Sequence, residues 1–357
     1  MTRFAIFLVA TASACGLFPS LDGLGGSDAS PGPDADKDVT ELPDSPPDTS
    51  TNDVVSQPQY ERIVTIVNDA TSSLPAGYTI GVPFPQTEMQ TAINAGKMRA
   101  DLGDLRVRAT KGERDRLVDA APLASVVWFS LSAPIAAGAT DTTYAITYGD
   151  PNAGAPPQNG AAVFDFYDDF TGSSIDTQKW MTQGTVSVGG GFVTLPASGL
   201  GAMTTVSLPP TTTVEFRAKI TDPTSDPDTQ SGFYYWLGFQ HTGDFVADSP
   251  WSVWIARDKS IIGAEQESDG CPSDCSSPTS SQTTSFRDYG IERQPTQTIF
   301  SIDGAPSYTT TAAINDEAMS LMIRNYLVSS DLVVDWIRAR PRTYPDPTVT
   351  LGGEQAF

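Results

Sequence analysis

The chain has 357 residues, enough for about two domains, and hydrophobic residues make up 39% of it. Its formal net charge of −22 argues against nucleic-acid binding, because the chain would repel a phosphate backbone. The 30 glycines and 28 prolines predict many turns between short strands rather than long helices.

Residues 1–15 are typical of an export signal. The apolar run Phe4–Ala10 is too short to span a bilayer as a permanent helix. The segment Ala12–Cys15 resembles a bacterial lipobox, although its first residue is not the usual Leu, and the resemblance implies a lipid on Cys15. An A-x-A cleavage site with a secreted product is the alternative. Gly16, rather than Asp, follows the cysteine, which by the same resemblance implies the bacterial outer membrane or the cell surface.

Residues 16–57 are predicted to form a disordered acidic linker rich in Asp, Pro and Ser. Because this stretch has almost no aromatic residues, it cannot bury enough apolar surface to offset the entropy of ordering it. Proline and repulsion between acidic groups keep such a chain extended. We interpret it as a spacer that holds the folded part away from a membrane.

Residues 58–158 are predicted to form a small all-β domain. Alternating and β-branched residues indicate the strands, and prolines at 83 and 85 end the second of them. The predicted elements are the strands Arg62–Asn68, Gly77–Phe84, Leu105–Val107, Ser125–Leu131 and Thr143–Tyr148, and a short helix over Thr87–Ala95.

Two segments of this domain, Arg99–Val107 and Tyr148–Ala153, together resemble the family catalogued as domain of unknown function 2341. The resemblance covers residues 60–155 and implies a module of microbial surface proteins that often precedes a concanavalin-like domain. It implies no activity. The charged residues Arg99, Asp101, Asp104 and Arg106 invite a functional interpretation, but we favour a salt-bridged turn that aligns the strands.

Residues 159–357 are predicted to form a larger β-sandwich. Its first stretch, Phe164–Trp180, combines alternating aromatic and acidic residues with a turn and an Ile-Asp-Thr-x-x-Trp segment. Val214–Lys219 and Val334–Arg338 follow in the order expected of glycoside hydrolase family 16, which this region resembles. The resemblance implies a concanavalin A-like jelly roll. The predicted fold class is therefore all-β, a small β-sandwich followed by a larger concanavalin A-like one.

Two aromatic strands of this sandwich divide by parity into two faces. The expected core face carries Phe233, Tyr235, Leu237 and Phe239 of one strand and Trp251, Val253 and Ile255 of the other. The opposite, concave face is expected to carry the candidate ligand-binding residues Tyr234, Trp236, Gln240 and Trp254. Aromatic rings stack on sugar C–H groups, and amides bond hydroxyls. The alternative is that these aromatic residues pack under a loop or against the first domain.

Catalysis can be tested against the family motif. Family 16 enzymes carry their two carboxylates on one strand as Glu-x-Asp-x-x-Glu or a one-residue-longer variant, and no such run occurs here. The corresponding strand reads SVWIAR, so we predict that the chain is not an enzyme. Glu265, Glu267 and Asp269 share one face if extended, which leaves a divergent polysaccharide-cleaving enzyme as an alternative. His241 is the only histidine, which excludes a His-rich metal site.

The remaining cysteines and one acidic strand residue complete the predicted sites. Cys271 and Cys275, close together in a predicted loop, are expected to form a disulfide in an exported protein. The resemblance to the glucanases implies that Asp335 helps to hold a structural Ca²⁺, with Asp168 or Asp169 from the neighbouring first strand. A carboxylate that caps backbone or arginine groups is the alternative. No cofactor is otherwise expected.

These observations lead to three functional hypotheses. The first is a surface lipoprotein that binds a polysaccharide or glycoconjugate on the concave face without cleaving it, and meets the membrane only through its lipid. The second is a structural or protein-interaction module without a sugar site, and the third is the divergent enzyme. A sandwich of this type hosts many unrelated functions, so the fold alone does not choose among them.

Overall fold

A computed structural model describes residues 58–357, except 121–124, 197–200, 223–234, 242–244, 246–249, 259–260, 268–279, 282–283, 313, 315 and 326–329. The predictions for the export signal, Cys15, the linker, Tyr234, Cys271 and Cys275 fall outside these described residues. Residues Val55–Phe357 form one compact unit. Within the described ranges, no helix is both long and apolar enough to cross a membrane.

The described secondary structure is almost entirely β. The two helices are α1 (Gln86–Asn94) and α2 (Gly160–Val163). The strands are β1 (Tyr60–Val67), β2 (Thr79–Phe84), β3 (Arg106–Ala109), β4 (Gly112–Arg114), β5 (Arg116–Ala120), β6 (Ser125–Ser130), β7 (Thr140–Tyr148), β8 (Phe166–Asp168), β9 (Trp180–Gln183), β10 (Ser187–Gly189), β11 (Phe192–Leu195), β12 (Gly201–Leu208), β13 (Thr212–Ile220), β14 (Tyr235–Gln240), β15 (Trp251–Asp258), β16 (Ile261–Glu267), β17 (Ser280–Ser281), β18 (Arg287–Arg293), β19 (Thr298–Ile302), β20 (Ala305–Thr310), β21 (Met319–Asn325), β22 (Leu332–Pro341), β23 (Thr348–Leu351) and β24 (Gln355–Ala356).

The first sandwich stacks a six-stranded sheet, in the order β23-β1-β7-β3-β4 with β24 beside β1, on a three-stranded sheet, β2-β6-β5. Strand β1 alternates as predicted, with Val64 and Ile66 fully buried between the sheets. Helix α1 closes one side of this core with Met89 and Ala92. Sequence patterns did not indicate the short strands β4 and β5.

The C-terminal strands β23 and β24 return to the first sandwich. Val64 pairs with Leu351, and Tyr60 pairs with Ala356, so both strands lie antiparallel to β1. The predicted division at residue 158 assigned this segment to the second domain. The structure instead builds the first sheet from both ends of the described chain.

The second sandwich packs an eight-stranded sheet against a seven-stranded sheet. The first has the order β10-β11-β22-β13-β18-β19-β20 with β8 beside β22, and the second runs β17-β16-β15-β14-β21-β12-β9. Strand β8 pairs with β22 through Asp168 and Ile337, as predicted for the first and last strands of this sandwich. The core between the sheets includes Phe216, Leu237 and Phe300. The fold class is therefore all-β, with a small sandwich followed by a larger jelly-roll sandwich of the concanavalin A-like type.

An aromatic and ionic cluster lies where α2 connects the sandwiches. Trp128 of β6 packs on Phe164, with 5.6 Å between the ring centroids. The guanidinium of Arg338, on β22, lies 5.1 Å from the Trp128 ring centroid and forms an ion pair with Asp119 of β5 at 2.7 Å. These contacts place strands of both sandwiches in one continuous packed region.

Candidate glycan-binding face

The seven-stranded sheet has a second face that points away from the core it shares with the eight-stranded sheet. We call this the outer face and define it by Met203, Trp236, Trp251, Val253, Ile255 and Met322, which form a separate apolar cluster. The strand register aligns them, because Trp236 lies opposite Ile255 and Met203 lies opposite Met322. Cross-strand partners share a face of a sheet, so these residues line one surface.

Two tryptophans form the centre of the outer face. The ring centroids of Trp236 and Trp251 are 5.2 Å apart, with an angle of 47° between the rings. Trp236 is 1% exposed and Trp251 is 7% exposed, and Phe245 packs against the cluster. Trp236 is therefore buried, as in the alternative that the aromatic residues of this face pack against other parts of the protein.

Polar groups lie at both ends of the tryptophan pair. Gln240 is fully buried and lies opposite Ser320 and Trp251 in the strand register. Arg324 lies opposite Trp236, and burial lowers the pKa of its guanidinium to about 10. Glu265 of β16 is partly exposed and lies opposite Val253. The face thus combines aromatic surface with an amide, a guanidinium and a carboxylate.

The structure corrects the face predicted for Trp254. This residue lies opposite Leu237 and is buried in the main core, where its Nε1 donates a hydrogen bond of 3.0 Å to the carbonyl oxygen of Gly290. Its ring meets Phe300 edge-on, with 5.6 Å between centroids. Trp251, Val253 and Ile255, which were predicted to face the core, lie on the outer face instead. Both faces of β15 are apolar, so alternation alone could not distinguish them.

Sequence analysis missed Trp251, Arg324 and Glu265 as residues of the outer face. Arg324 lies on β21, whose seven residues are all buried and therefore show no alternation. A single arginine at the end of an apolar run was the only signal for it. Of the predicted ligand-binding residues, the structure brings Trp236 and Gln240 to the outer face, while their function as ligand contacts stays a prediction. His241, next in the chain, lies 3.6 Å from a carboxylate oxygen of Glu317.

The three predicted calcium ligands have protein partners. Asp168 accepts hydrogen bonds from Trp180 Nε1 at 2.7 Å and from the backbone N–H of Phe170 at 3.0 Å. Asp335 lies 3.2 Å from Nε of Arg217. Among the described residues, no group of three or more His, Cys, Asp or Glu side chains could hold a metal ion. Asp168 and Asp335 therefore make the contacts expected if these carboxylates cap backbone and side-chain groups rather than bind calcium.

The described hydrogen bonds of Asp169 are local. Its Oδ1 accepts a hydrogen bond from the hydroxyl of Thr171 at 3.0 Å, and its Oδ2 accepts one from the hydroxyl of Tyr167 at 3.5 Å. The calcium prediction remains a proposal, and any ion there would have to compete with these contacts.

The charged cluster of the first domain forms a hydrogen-bonded turn. Arg99 pairs with Asp101 at 2.7 Å, and Asp104 accepts hydrogen bonds from the backbone N–H groups of Arg99 and Gly149. Arg106 donates to the carbonyl oxygens of residues 103 and 105. The cluster therefore has the structural role that we favoured from the sequence.

Comparison with known proteins identifies a family over part of the chain. A domain of unknown function, DUF2341, matches residues 103–183, which begin in the first sandwich and end in the second. No curated protein matches the sequence. The resemblance, predicted over residues 60–155, is confirmed where the match overlaps it, at 103–155. The match extends beyond the predicted range to residue 183 and covers less than half of the chain.

Several solved structures resemble the second sandwich. The β-glucanase of Bacillus licheniformis is 16% identical, with a TM-score of 0.37, and the match covers 50% of this chain and 98% of that protein. The laminarinase of Rhodothermus marinus is 13% identical, with a TM-score of 0.39, and the match covers 50% of this chain and 96% of that protein. The Crh5 transglycosylase is 18% identical, with a TM-score of 0.39, and the match covers 51% of this chain and 88% of that protein. At these identities the likeness bears on the fold alone.

The prediction that the chain is not an enzyme is contradicted by these comparisons. Each similar structure reported above carries the name of an enzyme, a glucanase, a laminarinase or a transglycosylase. The class of protein defined by the fold is an all-β protein of two sandwiches, of which the larger is a jelly roll of the concanavalin A-like type.

Proposed function

We propose that the protein binds a polysaccharide on the outer face of its second sandwich. The observation that carries this proposal is the tryptophan pair, Trp236 and Trp251, flanked by the polar side chains of Gln240, Arg324 and Glu265. Sugars are bound in proteins by aromatic surface together with a few oriented polar groups. The glucanase and laminarinase names of similar structures support the same class of ligand.

The burial of the two rings assigns them different roles. Trp251 retains some exposure and lies between Gln240 and the register position of Glu267, so we assign the contact with sugar to this ring. Trp236, 1% exposed, supports Trp251 from the side. Glu265 accepts hydrogen bonds from sugar hydroxyls, since an ionised carboxylate is an acceptor only.

The location of the protein forms part of the proposal. The sequence of residues 1–15 supports export and a lipid on Cys15, and the acidic stretch 16–57 supports a spacer. We place the sandwiches outside the cell, at the bacterial outer membrane or surface, where polysaccharide is the abundant polymer. Radiolabelled palmitate incorporated by the wild-type chain and not by Cys15→Ser would support the anchor. Equal labelling of both chains would contradict it.

The test of binding is a pull-down on insoluble polysaccharides and a glycan array, with residues 16–357. Wild type is compared with Trp251→Ala and Glu265→Gln, and with Lys111→Met as the control, because Lys111 is an exposed turn residue of the first sandwich, away from the outer face. We expect retention by wild type and the control, and at least a tenfold loss in the two variants. If wild type is not retained on any glycan, the proposal fails and a protein-interaction module remains.

A second candidate function is cleavage of the bound polysaccharide, and the position of Glu265 favours it. Glu265 and Glu267 occupy alternate positions on β16, opposite Val253 and Trp251. Alternate positions on a strand share one face of the sheet, and glycosidases use two carboxyl groups that flank the scissile bond. Reducing ends are therefore measured in the same tubes. Release of sugar by wild type, with none by Glu265→Gln at polymer concentrations that saturate its weakened binding, would establish cleavage. No release from any bound polymer would exclude it.

A further inference from the structure

A cleft lies on the first sandwich, which does not contain the outer face. Helix α1, strand β1 and the C-terminal segment enclose a cleft of about 560 Å³. Arg62, Glu88, Lys97 and Glu354 contribute charged groups to its walls, and Tyr148 contributes a ring. Small-molecule sites commonly have volumes of about 300–1,000 Å³, so the cleft is large enough for a ligand.

The charged groups of the cleft are held in two pairs. Arg62 donates from Nη1 to Glu88 at 2.6 Å and from Nε to the carbonyl oxygen of Gly352 at 2.7 Å. Lys97 forms a short hydrogen bond to Glu354, which also accepts one from the Tyr148 hydroxyl at 2.7 Å. The hydrogen bond to Glu354 raises the pKa of Lys97, and the bond from Lys97 lowers the pKa of Glu354, so both remain ionised.

These pairs retain hydrogen-bonding capacity. Arg62 is 9% exposed, and its described hydrogen bonds use Nε and Nη1 of a guanidinium that has five N–H donors. Glu88 has a side chain that is 50% exposed and bonds Arg62 through one oxygen. The cleft therefore presents fixed donors beside fixed acceptors.

The balance of charge identifies the kind of ligand. Two cationic and two anionic side chains cancel, so an incoming ion of either sign would meet a like charge as well as an opposite one. A hydroxyl both donates and accepts, so vicinal hydroxyls can bridge a carboxylate and a guanidinium at once. Ala92 and Ala95 add apolar surface, which suits the C–H face of a sugar ring.

We propose that this cleft is a binding site for a neutral, hydroxyl-rich ligand, a mono- or disaccharide unit, held by Arg62, Glu88, Lys97 and Glu354. The site lies on the first sandwich and does not depend on the outer face. Its presence would give the protein two separate contacts with glycan, one on each sandwich. Two tethered contacts increase the strength with which one polymer is held.

The test is isothermal titration calorimetry with glucose, galactose, mannose, cellobiose and laminaribiose, beside glycine, alanyl-alanine and phosphate as charged probes. Hydrogen exchange over Gln86–Asn94 locates the site. We expect a saccharide to bind, exchange over α1 to slow, and Lys97→Met to weaken binding at least tenfold. Lys111→Met, at an exposed turn residue, is the matched control and should leave binding unchanged.

Two further variants keep the outcome decisive. Thr91→Trp fills the cleft from the exposed side of α1 without removing an ion pair, and it should abolish saccharide binding. Trp251→Ala alters only the outer face and should leave binding in the cleft unchanged. Binding lost in Trp251→Ala but kept in Thr91→Trp would overturn the cleft and leave the outer face intact. Binding of the charged probes alone, or of none of the probes, would also overturn it.

Discussion

Arg338 on β22 of the second sandwich donates hydrogen bonds from Nη1 to both carboxylate oxygens of Asp119 on β5 of the first, at 2.9 and 2.7 Å. The same guanidinium bonds Glu215 through Nε at 2.7 Å and lies 4.6 Å from the ring centroid of Trp336. Trp128 adds a hydrogen bond to Asp119 at 2.7 Å. One buried cation thus bridges carboxylates of both sandwiches, and we infer that the two domains unfold together.

Arg338→Ala is expected to destabilise the whole folded unit. The substitution leaves Asp119 and Glu215 without their shared cation, and breaking a buried ion pair in this way costs about 3–5 kcal/mol. Urea unfolding followed by tryptophan fluorescence and by circular dichroism measures the loss. The control is Arg287→Ala, which removes an ion pair with the half-exposed Asp303 and should cost about 0–1 kcal/mol. Equal losses in the two variants would contradict the bridge.

Glu215 should make the stability of the protein dependent on pH. Burial alone raises the pKa of Glu215, but the attraction of Arg338, Arg340 and Arg342 outweighs it, so the net shift is downward. A carboxyl with a lowered folded pKa contributes stability above its unfolded pKa, about 4.3, and this contribution is lost as pH falls through the lower folded value. We expect the free energy of unfolding to fall more steeply below about pH 4.5 in wild type than in Glu215→Gln. Parallel pH profiles would show that Glu215 is not the responsible group.

The alternating strands were predictable from the sequence, and the two faces of β14 were also assigned correctly, but the faces of β15 were not. Strand β1 partly exposes every second residue, so its pattern revealed its core side, although the strand runs over Tyr60–Val67 rather than the predicted Arg62–Asn68. Strand β15 is buried from Trp251 to Ala256 and carries apolar residues on both faces, so period two alone did not distinguish its core face. Cross-strand pairing determines which face of β15 is buried in the core, because Trp254 lies opposite the core residue Leu237.

Long-range pairing was also beyond sequence patterns. The partner of Val64 is Leu351, and nothing in the local composition of either segment indicates the other. The cleft of the first sandwich depends on this pairing, since Glu354 reaches Lys97 only because β23 and β24 lie beside β1. The outer face is similar, because Arg324, Trp236 and Ile255 come from three strands and meet through register alone.

Trp254 and Trp251 should respond differently to substitution. Trp254→Phe leaves the carbonyl of Gly290 without its indole donor in the core, and an unsatisfied buried group costs about 1–3 kcal/mol. We expect this variant to unfold at lower urea and to bind polysaccharide as wild type does when folded. Trp251→Ala is expected to lose binding. A selective loss of binding in Trp254→Phe, at unchanged stability, would contradict the face assignment.

Asp168 is expected to stabilise the second sandwich through Trp180. Asp168→Asn replaces one acceptor oxygen with an amide that can donate only, so the Trp180 indole or the Phe170 amide loses its partner. The loss of unfolding free energy should be about 1–3 kcal/mol. It should be the same in EDTA and in calcium chloride, with the two buffers adjusted to equal ionic strength. Asp169→Asn, which alters only local turn contacts, is the control and should change stability little. A rise in the melting temperature of wild type with calcium, absent in Asp168→Asn, would instead support a calcium site.

Removal of residues 348–357 should destabilise the first sandwich even though these residues end the chain. Val349 and Leu351 pack against the core of that sandwich, and β23 and β24 supply hydrogen-bond partners along β1. Burial of two aliphatic side chains is worth at least about 2 kcal/mol, so we expect a lower unfolding midpoint and faster amide exchange over Tyr60–Val67. Phe357→Ala, which removes a side chain that is 60% exposed, is the control and should leave both unchanged. Unaltered exchange of β1 in the shortened chain would show that the first sheet is stable without its C-terminal strands. Saccharide binding by that chain would then test the contribution of Glu354 to the cleft.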